Sequence, residues 1–280
     1  MDSYGALAAY YDRLMSHVDY DRWAEYALSL LGLDRAPASG SCGGPAPGRT
    51  GAAGSGREGA PAPPREEAPA PLILDLACGT GSIAVRLAAE GMRVIGVDRS
   101  AEMLAAAEAK AREWEVAVEL VQADLALFEA AEQADGAVCL FDSLNYLTSV
   151  RELRAALRNA AAALRPGARL VFDVHTAERL RQVGSETYGH VEDDLAYLWM
   201  SEYDEESRIC AMQVTLFVAD EATGLFRRHD EVHYERAHTK SEIEEALDAA
   251  GFELEAVHGP EALDAAVFGE GRAFYVARRR

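Results

Sequence analysis

From Leu72 onward the chain switches repeatedly between short apolar runs and stretches with helical spacing. Leu72, Ile73, Leu74 and Leu76 form an apolar run with no 3.6-residue period, which predicts a buried strand. Gly79 and Gly81 then break the run, and Ile83, Ala84, Leu87 and Ala88 recur at helical spacing. The change of period repeats down the chain. A second strand is expected over 93–98, then a helix capped by Ser100 that carries Met103, Leu104, Ala107 and Ala111 and ends near Trp114. Further strands are expected over 116–121, 137–141 and 169–174. Before the last of these, Ser149 and Glu152 have the spacing of a capping box, for a helix through Leu153, Leu157 and Leu164 that Pro166-Gly167 stops. Strands alternating with helices predict right-handed crossovers and an α/β fold, a doubly wound parallel sheet with helices on both faces.

The flanking segments follow other patterns. Residues 2–33 read as helical, with Leu7, Tyr10, Tyr11, Leu14 and Met15 on one face and a second run of Trp23, Tyr26, Ala27, Leu30 and Leu31. Residues 34–71 turn abruptly to Pro, Gly, Ala and Ser, a composition that cannot bury enough apolar surface to order itself and reads as a disordered insertion. Over 191–236 the helical period vanishes and runs such as 195–200 and 212–218 predict an inserted antiparallel sheet of about three strands. Thr239 and Glu242 cap a late helix that Gly251 ends, and 252–257 and 273–277 supply two final strands, the last antiparallel.

Composition narrows the function classes. The 280 residues carry 27 Lys and Arg against 47 Asp and Glu, a formal charge of −20 that opposes nucleic acid or an anionic membrane as partner. No apolar run reaches the roughly 20 residues of a membrane span, and a cytoplasmic location is expected. The four cysteines, Cys42, Cys78, Cys139 and Cys210, form no CxxC pair, so neither a metal site nor a disulfide framework is indicated.

The glycine turn points to a nucleotide at a helix N-terminus, and Asp98, ending the next strand, is placed to accept from ribose hydroxyls. Residues 79–84 match GxGxxA, which leaves a dinucleotide and an NAD(P)-dependent oxidoreductase open. Two carboxylates favour another ligand. Asp75, four residues before Gly79, repels a pyrophosphate but stabilises a cationic amino group, and Asp124 after the third strand can accept from an adenine amine, with Met103 as an apolar surface for the ring.

Here the chain resembles the class I S-adenosylmethionine-dependent methyltransferases: LDLACGTG, VDRSAEML and QADL stand for the family's first three motifs, in order. The resemblance implies a Rossmann-like sheet of seven strands with a reversed last strand, and S-adenosylmethionine as cofactor with S-adenosylhomocysteine as product. It places Asp75, Ala77, Gly79 and Gly81 at the methionyl part, Asp98 at the ribose, and Asp124 with Leu125 at the adenine; Arg99, Met103, Phe141, Tyr11, Tyr20 and Trp23 are further candidate cofactor neighbours. LAAYYDRLM, FDSLNYL and EVHYER resemble a bacterial subgroup of small-molecule type, similar in plan to the sugar-amine N-methyltransferases, in which a β insertion covers the site or joins subunits. The implied organisation is a helical cap over 1–33, the insertion over 34–71, a core over 72–175 and 237–280, and a β-rich lid or dimerisation unit over 176–236, in a monomer or homodimer.

An electrophilic methyl needs little beyond placement of a nucleophile, exclusion of water and a proton acceptor. Tyr146 and His175 are the candidate catalytic residues; His233 and Glu235 alternate with Val232 and Tyr234 and are expected on a solvated face. Asp142 is expected near the methionyl end or at a helix start. A small-molecule acceptor offering nitrogen or oxygen is expected, against an oxidoreductase or a cofactor-binding protein without catalysis.

Overall fold

The computed structural model describes residue 5 and residues 7–33, 69–220 and 222–280. Most of the Pro/Gly-rich insertion, 34–68, lies outside the described residues. The strands β1 (Leu72–Leu76), β2 (Arg93–Asp98), β3 (Glu119–Gln122), β4 (Ala134–Cys139), β5 (Leu164–His175), β10 (Phe252–His258) and β11 (Arg272–Arg279) make one seven-stranded sheet in the order β10-β11-β5-β4-β1-β2-β3. β1 to β5 pair in parallel, while β11 runs antiparallel to both β5 and β10, which is the reversed last strand expected.

Successive side chains on the central strands point to opposite faces, so each strand contributes to two cores. Leu72, Leu74 and Leu76 pack with Leu170 and Phe172 beneath α5 (Val150–Ala163) and α7 (Lys240–Ala250). Ile73, Val138 and Val171 face the other way, against α2 (Tyr20–Leu31) and α3 (Ser82–Ala89). Both expected capping boxes form, Ser149 with Glu152 and Thr239 with Glu242, and Gly251 ends α7 with φ of 88°. Ser100 caps α4 (Ala101–Glu113), which ends at Trp114 as expected.

Several boundaries differ from the sequence reading. β3 begins at Glu119 rather than 116 because pairing with β2 starts only at Ile95↔Glu119. β4 stops at Cys139, and Phe141 and Asp142 take left-handed backbone conformations instead of extending it. α5 ends at Ala163, ahead of Pro166, because Leu164 is already paired with Ala134. The N-terminal segment is not continuous helix: a 3-10 turn at Leu7–Ala9 and the single turn α1 (Tyr11–Leu14) precede α2.

After β5 the chain forms α6 (Ala177–Val183), then β6 (Thr187–Val191), β7 (Leu195–Asp204), β8 (Ile209–Asp220) and β9 (Leu225–Arg236), a separate antiparallel sheet in sequential order. It has four strands, not three; β6 was missed because Tyr188-Gly189-His190 gives no apolar alternation. The solvated-face reading of β9 is reversed. His233 and Glu235 are buried at 1% and 3% exposure, whereas Val232 and Tyr234 are exposed. The inner face of this sheet is apolar where Leu195, Val214 and Leu216 pack on Leu7, and polar where β9 meets the core domain. No helix among the described residues is long and apolar enough to cross a membrane.

Candidate active site

A cavity partly open to solvent sits beyond the carboxyl ends of β1, β2 and β3. Its wall contains most of the residues chosen from the sequence: Tyr11, Tyr20, Asp75, Ala77, Gly79, Asp98, Arg99, Met103, Asp124, Leu125, Phe141 and Tyr146. Three chosen residues lie elsewhere. Gly81 is the N-cap of α3 just behind the wall. Trp23 is 2% exposed, stacked behind Phe141 with centroids 4.1 Å apart and donating from Nε1 to the Val267 carbonyl at 3.0 Å. His175 ends β5 on the far side of Asp142.

The turn after β1 is built for a close ligand. Ala77, Gly79 and Gly81 all have φ between 54° and 74°. The two glycines serve different ends: a Cβ at Gly79 meets nothing within 4 Å, whereas one at Gly81 falls 2.9 Å from the Ala107 Cβ and 3.3 Å from its Cα. A Gly79→Ala variant is therefore expected to lose cofactor affinity while costing only about 1 kcal/mol of stability, the strain of the left-handed backbone. Gly81→Ala pushes α4 off its seat and is expected to cost roughly 2–4 kcal/mol. Thermal melts paired with cofactor titration separate the two outcomes.

Asp75 is 2% exposed, and its Oδ2 has no hydrogen-bond partner among the described residues. Burial, then the neighbouring Asp98 charge, push its carboxyl up to about 7. A buried carboxylate with one oxygen unpartnered beside a cavity costs free energy that a ligand cation can offset, and an amino acid ammonium is such a cation. Asp98 accepts from Gly79 N and Ser100 N, both at 2.9 Å, which ties the glycine turn to the start of α4. Asp124 accepts from Ala126 N at 2.7 Å. Burial, with the Asp75 and Asp98 charges, raises the Cys78 thiol well above its ordinary value, which favours the protonated thiol.

The N-terminal turn roofs the cavity through a small polar cluster. Lys110 Nζ donates to Asp12 Oδ1 at 2.8 Å, to Thr80 at 3.0 Å and to Ser82 at 2.6 Å, and Thr80 also donates to Asp12. This holds α1, and with it Tyr11, over the glycine turn. Tyr20 is pushed up to about 12, chiefly by burial, and keeps its proton.

Next to the cavity, a buried polar network appears that no motif announced. Asp173, fully buried, accepts from the backbone amides of Phe141 at 2.7 Å and Asp142 at 2.9 Å, holding both in their left-handed conformations. Arg272 donates to Asp173, to Asp142 Oδ1 at 2.8 Å and to the Phe268 carbonyl at 2.9 Å. Its Nη2 lies 2.9 Å from His175 Nε2. A guanidinium cannot accept, so Nε2 is the acceptor and the proton of a neutral His175 sits on Nδ1, 3.2 Å from Glu235 Oε2 and 3.7 Å from Asp142 Oδ2. Asn145, 0% exposed, accepts from His175 N at 3.0 Å and donates to the His175 and Arg236 carbonyls, joining core to inserted sheet. The Tyr146 ring stands edge-on to His233 at 6.1 Å.

Comparison with known proteins decides the family. Residues 73–167 match the family described as "Methyltransferase domain". The chain is 30% identical over 255 residues to the Bacillus subtilis (strain 168) protein named "Putative methyltransferase YqeM", covering 91% of this chain and 88% of that one. The chain belongs to the S-adenosylmethionine-dependent methyltransferases. Its fold is that of an S-adenosylmethionine-dependent methyltransferase from Clostridium acetobutylicum ATCC 824, with a TM-score of 0.73 at 23% identity over 99% of this chain and 98% of that one. CalS10, an amino pentose methyltransferase of Micromonospora echinaspora solved with S-adenosylmethionine bound, shares 28% identity with a TM-score of 0.58, over 75% of this chain and 84% of that one. Membership sets aside the oxidoreductase reading of the GxGxxA turn, and the methyl donor is S-adenosylmethionine, as bound in CalS10. The unpartnered oxygen of Asp75 in the cavity wall and the open space over Gly79 fit that cofactor.

Proposed function

We propose that this methyltransferase transfers a methyl group to the amine of a small polar molecule. The observation that carries this reading is a cluster of buried carboxyls at the junction of the inserted sheet and the core: Glu231 and Glu235 on the buried face of β9, and Asp142, whose chain neighbours Phe141 and Ser143 line the cavity. The field of such a cluster favours a cationic acceptor in the neighbouring cavity. That CalS10 is an amino pentose methyltransferase supports the same choice of nucleophile.

In this reading Asp75 holds the ammonium of S-adenosylmethionine, the glycine turn lets the methionyl part approach the backbone, Asp98 takes the ribose, and Asp124, Leu125 and Met103 take the adenine. Bound there, the cofactor supplies an electrophilic methyl on its sulfonium. Tyr11 and Tyr20 close the roof and exclude water, and Tyr146 orients the acceptor. Residues 1–33 act as the cap and 176–236 as the lid over a core of 72–175 and 237–280, in a cytoplasmic protein.

A screen of free amino sugars, diamines and amino acids, each paired with its hydroxyl analogue and read by S-adenosylhomocysteine release, tests the nucleophile. Turnover with amines and none with their hydroxyl partners is expected; turnover confined to hydroxyl compounds overturns it.

A further inference from the structure

α1 is a single helical turn with nothing of its own to keep it in place. None of its four residues is buried, and no side chain caps its N-terminus. A turn this short does not persist alone in water, so its position is set by what it is tied to. The ties come from both halves of the molecule.

Towards the core, Asp12 accepts from Thr80 Oγ1 at 2.6 Å and from Lys110 Nζ at 2.8 Å. The Lys110 side chain is 15% exposed; burial lowers it from its ordinary value and the bond to Asp12 opposes that shift, so the carboxylate stabilises the sheltered charge. Towards the inserted sheet, the next residue, Arg13, donates from Nε to Glu192 Oε2 at 2.8 Å and from Nη1 to Asp194 Oδ2 at 2.9 Å, in the turn between β6 and β7. Tyr10 and Leu14 pack against the apolar patch of that sheet in which Leu7 is buried, and the Leu7 amide donates to Glu231 Oε1 at 3.0 Å. Two consecutive residues of opposite charge thus fasten one turn to two separate sheets. The residue before them, Tyr11, forms part of the cavity wall together with Thr80 and Ser82.

Resting on the reading of this cavity as the cofactor site, we infer that residues 7–15 are a two-sided strap that gates cofactor exchange, held to the glycine turn by Asp12 and to the inserted sheet by Arg13. Opening swings α1 about residues 16–19, since α2 behind them stays docked through the buried Trp23, Ala27 and Leu31. The swing takes Tyr11 out of the wall and parts Asp12 from Lys110, which keeps only the Thr80 and Ser82 hydroxyls. A single turn moves as one piece, so the Arg13 contacts yield with it. The two anchors differ in kind. Arg13 and Asp194 are exposed, and salt screens them, whereas Lys110 is sheltered.

The test follows association and release of S-adenosylhomocysteine by stopped flow in the unaltered chain, Asp12→Asn and Arg13→Gln. A gate limits passage in both directions, so the two rates should rise together while Kd stays within threefold; loss of a direct cofactor contact would instead speed release alone and weaken Kd in step. The rise is expected to be about 5- to 30-fold in Asp12→Asn and about three- to fivefold in Arg13→Gln at low salt. Raising salt from about 0.05 to about 0.5 M should speed exchange in the unaltered chain more than in Arg13→Gln. A second arm needs no ligand: amide hydrogen exchange over α1 should quicken in both variants while that of α2 is unchanged. Release within 1.5-fold of the unaltered chain in either variant, association unchanged while release quickens, or α1 amides no faster in exchange, overturns the inference. Failure of the cofactor-site reading shows separately, as unchanged Kd in Asp75→Asn; the gate is then judged on the same two rates.

Discussion

Replacing Asp75 with Asn is expected to abolish most cofactor binding while making the cofactor-free protein more stable. The carboxylate sits on β1 with one oxygen unpartnered, and burial has raised it to about 7 from an ordinary value of 3.8. A raised carboxyl favours the folded state when protonated. Its folding contribution is therefore intact below the unfolded value near 3.8, and is lost as pH rises through about 7. Above that point the ionised group costs on the order of 4 kcal/mol. Asn carries no charge to desolvate, so Asp75→Asn should melt at least ~3 °C higher at pH 8 and by a clearly smaller margin at pH 5. Losing the charge-assisted bond to the ammonium should weaken S-adenosylmethionine binding roughly 10- to 150-fold. A lower melting temperature at pH 8 together with unchanged affinity would show that Asp75 has only a structural role.

The second large effect is expected at Arg272. This one side chain neutralises Asp173 and Asp142, caps the Phe268 carbonyl and lies over Trp23 at 5.2 Å. Arg272→Met keeps the packing volume and removes the charge, leaving Asp173 buried with only two backbone amides. Breaking one side of a buried pair costs about 3–5 kcal/mol, or roughly 10 °C in melting temperature for a chain of this size. The pH dependence has a definite sign. Without the guanidinium, both carboxyls rise in the folded state, so the variant regains stability as pH falls and they protonate. The deficit should be clearly smaller at pH 5 than at pH 8, as read by thermal melts; a deficit under about 1 kcal/mol, or one independent of pH, contradicts the role given to Arg272. The strained turn at Phe141 and Asp142 depends on the same network, so catalytic turnover should fall even at temperatures where the variant is folded.

The sheet and the cavity at its edge were legible because their signals are local. Apolar runs mark buried parallel strands, and Asp75, Asp98 and Asp124 each stand at or near a strand's carboxyl end, where topology alone collects them around one cavity. The buried polar network beside it was legible only in fragments. Asp142, Asp173, His175, Glu235 and Arg272 are separated by up to 130 residues, and no spacing rule links them. The alternation in β9 was read correctly as a strand but with the faces inverted, because the usual rule assumes an apolar partner and the partner here is a polar site. Trp23 shows the limit for aromatics: its helix face identifies it as buried, but only the fold puts Phe141 between it and the cavity.

The claim at the centre of this account is that Asp75 takes the ammonium of the cofactor, and calorimetric titration of the unaltered chain with S-adenosylhomocysteine at pH 6 and pH 8 tests it most directly. A carboxyl near 7 in the free protein must lose its proton to bind the ammonium, so affinity should be about tenfold higher at pH 8, with proton release at pH 6 visible as a dependence of the heat on buffer. No binding, or equal affinity at the two pH values without proton release, would contradict it.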